Sequence, residues 1–203
     1  MLQSFLRNKS GAVTVETSFV LMIMVAVTGG LVEAGYAYWQ WNGVQQATRH
    51  GARLAVTSDA VSRDMTTMTG IGNGVSVGDP MPDFIRECSG RTQRCSSGGY
   101  NSGAMDKIFF GPDSDSKCAP TERLRRGMCD IFQEIEKKNI TVSYESSGLG
   151  HASFPANPKP LVTVKVTDLK FNFVFLDLFL PDSLTTMPDV SVSLMSEDLR
   201  SGI

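Results

Sequence analysis

The sequence predicts an α+β fold in which a long N-terminal transmembrane helix carries an outer domain with a small antiparallel sheet and disulfides. Three observations predict this fold: an apolar run before residue 42, alternation of apolar and polar residues in three later segments, and four cysteines beyond the apolar run. The 203 residues suit one membrane anchor and one compact domain large enough to bury a core.

The apolar run has the length of a membrane span. The uncharged residues Thr17 to Val32, extended through Trp39, reach the ~20 residues that a helix needs to cross hydrocarbon. Met1 to Ser10 contains Arg7 and Lys9 but no acidic residue, so the positive-inside rule predicts a cytoplasmic N-terminus and an outer C-terminal domain. Aromatic residues follow, as is typical of a membrane–water boundary: Tyr36, Tyr38, Trp39 and Trp41.

Glu16 lies at the start of the apolar run, where a carboxylate is costly and by default marks a functional position. Cleavage between Gly11 and Ala12 would give Ala12 a new α-amino group and make Glu16 the fifth residue. The cationic terminus and the carboxylate, one helical turn apart, would then compensate each other within a chain or pair between neighbouring subunits. The sequence therefore suggests a cleavage site at Gly11 and Ala12 and an assembly carboxylate at Glu16.

This N-terminal segment resembles that of type IV pilins and, more specifically, the TadE-like family. The similarity covers about residues 10–56 and rests on three stretches: Gly-Ala-Val-Thr-Val-Glu at residues 11–16, Glu33 followed by Gly35 and Tyr36, and Ala-Thr-Arg-His-Gly-Ala-Arg at residues 47–53. Glu33, Gly51 and Arg53 are the family-segment positions in the last two stretches. The resemblance implies a pilin-like head and a role as a minor pilin or pseudopilin in Tad/Flp pilus assembly, in adhesion and surface attachment.

The resemblance also implies a location and partners. It implies a single-pass protein of the bacterial inner membrane, whose other partners are the major Flp pilin, other minor pilins and the prepilin peptidase that would cut between Gly11 and Ala12. The expected organisation is a cytoplasmic leader (1–11), a transmembrane helix with a periplasmic extension (12–57) and a periplasmic α+β domain (58–203). Incorporation into the pilus itself stays open. With 19 basic and 21 acidic residues, the chain gives no reason to expect a nucleic-acid partner.

The cysteines predict disulfides. An even number beyond the membrane helix fits an oxidising compartment, and the spacings differ from the CxxC pairs of zinc sites. Of the three possible connectivities, Cys88–Cys95 with Cys118–Cys129 closes the shortest loops and is preferred, while the others stay open. The residues 96–103 between the two pairs are rich in serine and glycine, which predicts an exposed loop.

The outer domain shows both helical and strand periods. A short helix or helix continuation is predicted for Ser58 to Met68, a loop for residues 70–74, and an amphipathic helix for Pro120 to Lys138. Alternation predicts strands around residues 140–144, 162–166 and 190–194, with close spacing that favours an antiparallel meander. Leu169 to Leu180 is too short for a second span. Its first half is predicted to be core, and Leu176 to Leu180 stays open between core and a contact surface.

The sequence predicts no enzyme, no cofactor and no metal site. The histidines, His50 and His151, lie in no catalytic motif, and Asp113-Ser114-Asp115 begins like a calcium loop but has Lys117 in the fifth place. The alternative function is a single-pass anchored periplasmic binding or sensing domain unrelated to pili, or an anchored hydrolase. A cleaved signal peptide is a further alternative for the N-terminus, although Glu16 would be out of place in its apolar region.

Overall fold

A computed structural model describes residues 9–113, 117–118, 124–153, 158–174, 177, 181 and 185–196. The chain divides into two compact units, Met1–Gln40 with Phe171–Thr185, and Trp41–Lys170 with Thr186–Ile203. The helices are α1 (Lys9–Thr57), α2 (Ser102–Phe110) and the single turn α3 (Met128–Ile131), with 3-10 turns at Arg63–Thr66 and Lys137–Asn139. The strands are β1 (Ile85–Ser89), β2 (Arg94–Cys95), β3 (Ile140–Ser146), β4 (Pro160–Val166) and β5 (Val190–Met195). The predicted α+β class is confirmed.

The first part of α1 has the surface of a membrane helix. Its large apolar side chains from Val13 to Val32 are each 56–72% exposed. At 1.5 Å per residue these 20 residues span about 30 Å, the thickness of the hydrocarbon core. The hydroxyls of Thr17, Ser18 and Thr28 donate at 2.8 Å to carbonyls one turn earlier, so they need no water. The helix is long and apolar enough to cross a bilayer, which fits membrane anchoring.

The second unit is built on a five-stranded antiparallel sheet in the order β2-β1-β3-β4-β5. In β4, Val162, Val164 and Val166 are buried, whereas Lys165 between them is exposed. β3 and β4 pair along their whole length, with Val142 opposite Val164. The three strands predicted from alternation are therefore confirmed. The apolar members of the alternation are buried in β3 and β4, whereas in β5 Val190 is buried and Val192 and Leu194 are half-buried.

The later part of α1 contributes small residues to the core of this unit. Ala47, Ala52 and Ala55 are fully buried. A Cβ atom added at Gly43 would lie 2.8 Å from the ring of Phe132, so the missing side chain permits the close packing of that ring. Just beyond the helix, the buried hydroxyl of Tyr144 accepts a hydrogen bond of 2.9 Å from the backbone N–H of Val61. Burial raises the pKa of Tyr144 well above its ordinary value, and the phenol stays neutral.

The predicted helix from Pro120 to Lys138 is wrong over residues 124–138, while 120–123 lie outside the described residues. Only the turn Met128–Ile131 is α-helical there, and Phe132 then takes an extended conformation (φ −140°, ψ 105°). A Cβ atom at Gly127 would lie 2.3 Å from backbone atoms of residues 109–111, so the chain is pressed against that segment. Tertiary contacts of this kind override an apolar period.

Other local predictions also fail. Ser58 to Met68 contains a 3-10 turn at Arg63–Thr66 and no α-helix. The predicted loop at 96–103 is exposed through Gly99, but α2 starts inside it at Ser102, where the Asn101 side chain accepts from the Ala104 N–H at 3.3 Å. β1 and β2 were not predicted, because their mixed polar sequence has no clear alternation.

The prediction of core for the first half of 169–180 holds only in part. Leu169 is buried and Phe171 and Phe173 are half-buried, whereas Val174 is 74% exposed. Of the part left open, Leu176 and residues 178–180 lie outside the described residues.

Candidate functional site

The predicted cleavage and assembly residues lie at the start of α1. Gly11 and Ala12 follow the first helical residue, Lys9, and Glu16 lies about one turn after Ala12 with its side chain exposed. No described residue forms an ion pair or a side-chain hydrogen bond with the Glu16 carboxylate. Its carboxylate is thus accessible along the exposed helix surface.

Glu33, by contrast, is engaged within the chain. Its side chain is only 3% exposed although it directly follows the exposed apolar stretch. The backbone N–H of Val174 donates a hydrogen bond of 2.9 Å to Glu33 Oε1. A residue 141 positions later in the chain therefore supplies a partner for this carboxylate, which lowers the cost of burying it.

Gln40, two turns after Glu33 on the same helix face, makes a matching contact. Its Nε2 donates to the Asn172 carbonyl at 2.8 Å, and its Oε1 accepts from the Asn172 N–H at 2.9 Å. The Gln40 side chain is completely buried and satisfies both backbone groups of Asn172. Sequence reasoning missed Gln40. Its position seven residues after Glu33, about two helical turns, places both polar residues on one face of the helix and could have indicated a shared contact.

Gly51 and Arg53 have different environments. Gly51 is buried, and a Cβ atom there would lie 2.3 Å from Met128 Sδ and 2.7 Å from Met128 Cγ. Arg53 is exposed on α1. Gly51 therefore occupies a packing position where any side chain would displace Met128, and the Arg53 guanidinium is presented to the surroundings.

His50 has a structural contact. Its Nε2 lies 2.7 Å from the Arg126 carbonyl oxygen, so this nitrogen donates the hydrogen bond. This bond connects α1 to the segment just before α3. His50 Nε2 is therefore used in a structural hydrogen bond to a backbone carbonyl.

Two disulfides lie in the second unit. Cys88 and Cys95 are bonded and occupy opposite positions of the β1–β2 pair. Cys118 is bonded to Cys129 in α3. These are the two pairs that loop length favours.

Comparison with known proteins identifies the N-terminal segment. A family model described as TadE-like protein matches residues 11–53, about a fifth of the chain. The match contains Gly11, Glu16, Glu33, Gly51 and Arg53, and it confirms the resemblance inferred from the sequence. No curated protein and no solved structure matches the chain. The TadE-like segment indicates a role related to the Tad pilus system and to the membrane.

Proposed function

We propose that this chain is a membrane-anchored minor pilin or pseudopilin that takes part in Tad/Flp pilus assembly through subunit–subunit interaction. The TadE-like match over residues 11–53 carries the proposal. In it, the chain is a single-pass protein of the bacterial inner membrane with a cytoplasmic N-terminus, a periplasmic domain and no enzymatic activity. Its partners are the major Flp pilin, other minor pilins and the prepilin peptidase.

The exposed surface of α1 supports storage in the bilayer followed by transfer to an assembly. Residues 13–32 expose apolar side chains around the helix, and lipid solvates them while the subunit waits. Lipid tails are as apolar as these side chains, so apolar surface alone gives little drive for one such helix to leave lipid for another. A polar interaction is needed to direct the association.

Glu16 supplies that interaction in our proposal. Cleavage between Gly11 and Ala12 leaves an α-amino group about 6 Å along the axis from Glu16, given the rise of α1. The Glu16 carboxylate has no described ion-pair partner and can pair with such an amine, its own or a neighbour's. Attraction between opposite charges is strong in a medium of low polarity, which makes the pairing specific.

The mature N-terminus tests the proposal most directly. Intact-mass and terminal-peptide analysis of the protein, purified from cells that assemble fibres, should find a chain starting at Ala12. Deletion of the prepilin peptidase should restore the start at Met1. A Met1 start in piliated wild-type cells would contradict cleavage and favour a plain anchored domain, and a start near Tyr38 would indicate a secreted protein.

Glu16 can be tested separately from cleavage. Glu16→Gln should strongly reduce the number of fibres per cell while leaving membrane insertion intact, because it removes the charge and keeps the size. Glu16→Asp is the matched control that retains the charge and should retain more fibres. Equal piliation in wild type and Glu16→Gln would contradict the role given to this carboxylate.

A further inference from the structure

We infer that residues 171–174 form a membrane-interface segment, which Glu33 and Gln40 hold against α1 so that it meets the lipid headgroup layer. The inference rests on the membrane anchoring contained in the proposed function and is independent of any pilus. Its partner is the lipid surface that surrounds the helix.

The depth of the segment follows from its two contacts with α1. Asn172 is bonded to Gln40, and Val174 is bonded to Glu33, so the segment runs back along the helix toward the exposed apolar stretch. That stretch fills a hydrocarbon core of about 30 Å and ends at Val32, which puts Glu33 at its edge. Gln40 lies about 10 Å further along the axis, just beyond a headgroup layer of roughly 5–8 Å. The chain between its contact with Gln40 at Asn172 and its contact with Glu33 at Val174 therefore runs alongside the part of α1 that crosses this layer.

Several backbone polar groups of the segment already have hydrogen-bond partners, which lowers the cost of placing them where water is scarce. Irregular chain near hydrocarbon is tolerated only where its polar groups have partners. Gln40 satisfies the N–H and the carbonyl of Asn172, Glu33 accepts from Val174, and the Phe171 N–H donates to the Thr185 carbonyl at 2.7 Å. The side chains of Gln40 and Glu33 thus form hydrogen bonds with the backbone of the segment, as a neighbouring strand would in a sheet.

The side chains on this surface also suit the interface. Val174 is 74% exposed, and the rings of Phe171 and Phe173 lie 5.8 Å apart, each half-buried. On α1, the exposed Tyr36 and Trp39 rings stack at 5.7 Å. Neither residues 34–48 nor residues 171–174 contain a charged side chain. Aromatic and uncharged polar residues are typical of the part of a membrane protein that lies at the level of the lipid headgroups.

A lipid-quenching experiment on the full chain tests the inference. All four cysteines are in disulfides, so one introduced cysteine can be labelled selectively with an environment-sensitive dye. Labels at Val174→Cys, at Val25→Cys in the membrane stretch and at Val77→Cys, an exposed site in the other unit, are compared in vesicles that contain shallow or deep lipid-attached quenchers. Quenching should remove about half of the emission at 174, with the shallow quencher more effective, because interfacial groups sit at the headgroup–acyl boundary. The label at 25 should prefer the deep quencher, and the label at 77 provides the comparison with an exposed site in the other unit.

Three other outcomes overturn the inference in distinguishable ways. An unquenched, solvent-like label at 174 together with a quenched label at 25 would show an anchored chain whose segment stays in water. A blue-shifted label at 174 that no lipid quencher reaches would show that protein, such as a second copy, covers the segment. An unquenched label at 25 would show that the helix is not inserted in the membrane, which would also contradict the proposed function.

The role of Gln40 has its own control. Gln40→Ala, combined with the label at 174, should reduce quenching at least about twofold. The two backbone groups of Asn172 would then lack their partner, and hydrating them would favour movement of the segment from the lipid interface into water. Gln46→Ala removes an exposed glutamine from the same helix and should leave the quenching unchanged. Equal quenching in both variants would show that the segment reaches the interface without Gln40. Near-ultraviolet circular dichroism of both variants identifies any loss of fold.

Discussion

The two parts of α1 are suited to different surroundings. From residues 13 to 32, large apolar side chains are exposed on all sides of the helix. From residues 44 to 55, only one face is buried, with Val44, Ala47 and Ala55 on it, while Gln46 and Arg53 are exposed. Composition therefore identifies the first part and periodicity identifies the second. A single helix that passes from lipid to a folded domain has to be analysed by both criteria.

An aspartate placed in each part should separate their functions most clearly. Val44→Asp places a carboxylate at a fully buried position and should lower the free energy of unfolding of the second unit by about 3–5 kcal/mol. Val25→Asp should leave that free energy unchanged and instead disfavour membrane insertion by about 2.5–3.5 kcal/mol. Denaturant unfolding in detergent measures the first quantity, and carbonate extraction of membranes follows the second. A similar loss of domain stability in both variants would contradict the division of α1 into a membrane part and a part that belongs to the folded core.

Glycine in the two parts should respond differently to a methyl group. Gly51→Ala brings the new Cβ against Met128 and should destabilise the second unit by about 1–3 kcal/mol, because the core there is already filled. Gly30→Ala meets no atom within 4 Å and should change domain stability by less than about 0.5 kcal/mol. The midpoints of denaturant unfolding give the comparison. A Gly51→Ala variant as stable as wild type would mean that Met128 can move aside freely.

The smallest expected effect is a dependence of the stability of the second unit on pH. Burial alone would raise the pKa of Asp64, but hydrogen bonds from Ser62 and Arg86 and the charge of Arg86 together hold that pKa below its ordinary value. Because the folded-state pKa is the lower one, the stabilisation is complete above the unfolded pKa of about 3.9 and is lost as pH falls through the folded value.

Asp64→Asn should therefore cost less than about 1 kcal/mol at neutral pH, because a partly exposed ion pair is screened, and the difference from wild type should shrink below about pH 4. Thermal unfolding between pH 3 and pH 7 would check this. Asp113→Asn, which alters the more exposed pair with Arg125, is the control. A difference in stability between wild type and Asp64→Asn that grows as pH falls would contradict the lowered pKa of Asp64.

The sequence predicts best what depends on composition or on a sustained period. The membrane stretch needs only a run of apolar residues, and β3, β4 and β5 each show alternation over several residues. α2 could also have been predicted, because Asn101 is a good N-cap and Ala104, Met105, Ile108 and Phe109 share one face.

The remaining features depend on contacts distant in sequence. The region around α3 has a helical apolar period, yet Gly127 is pressed against the backbone of residues 109–111 and the helix is only one turn long. The partners of Glu33 and Gln40 lie more than 130 residues away, and nothing local indicates them. The sequence marked Glu33 through its family resemblance but gave no sign that its carboxylate is already bonded within the chain.

The disulfides have a consequence for how the second unit folds. The bonded cysteines are separated by only 7 and 11 positions, so each ring closes at a small entropic cost and needs no finished tertiary structure. The pairing of β1 with β3, by contrast, brings together residues such as Ile85 and Glu145 across a long stretch of chain. Thiol oxidation can thus precede sheet assembly, and the short separation of each bonded pair favours the native bonds over scrambled ones.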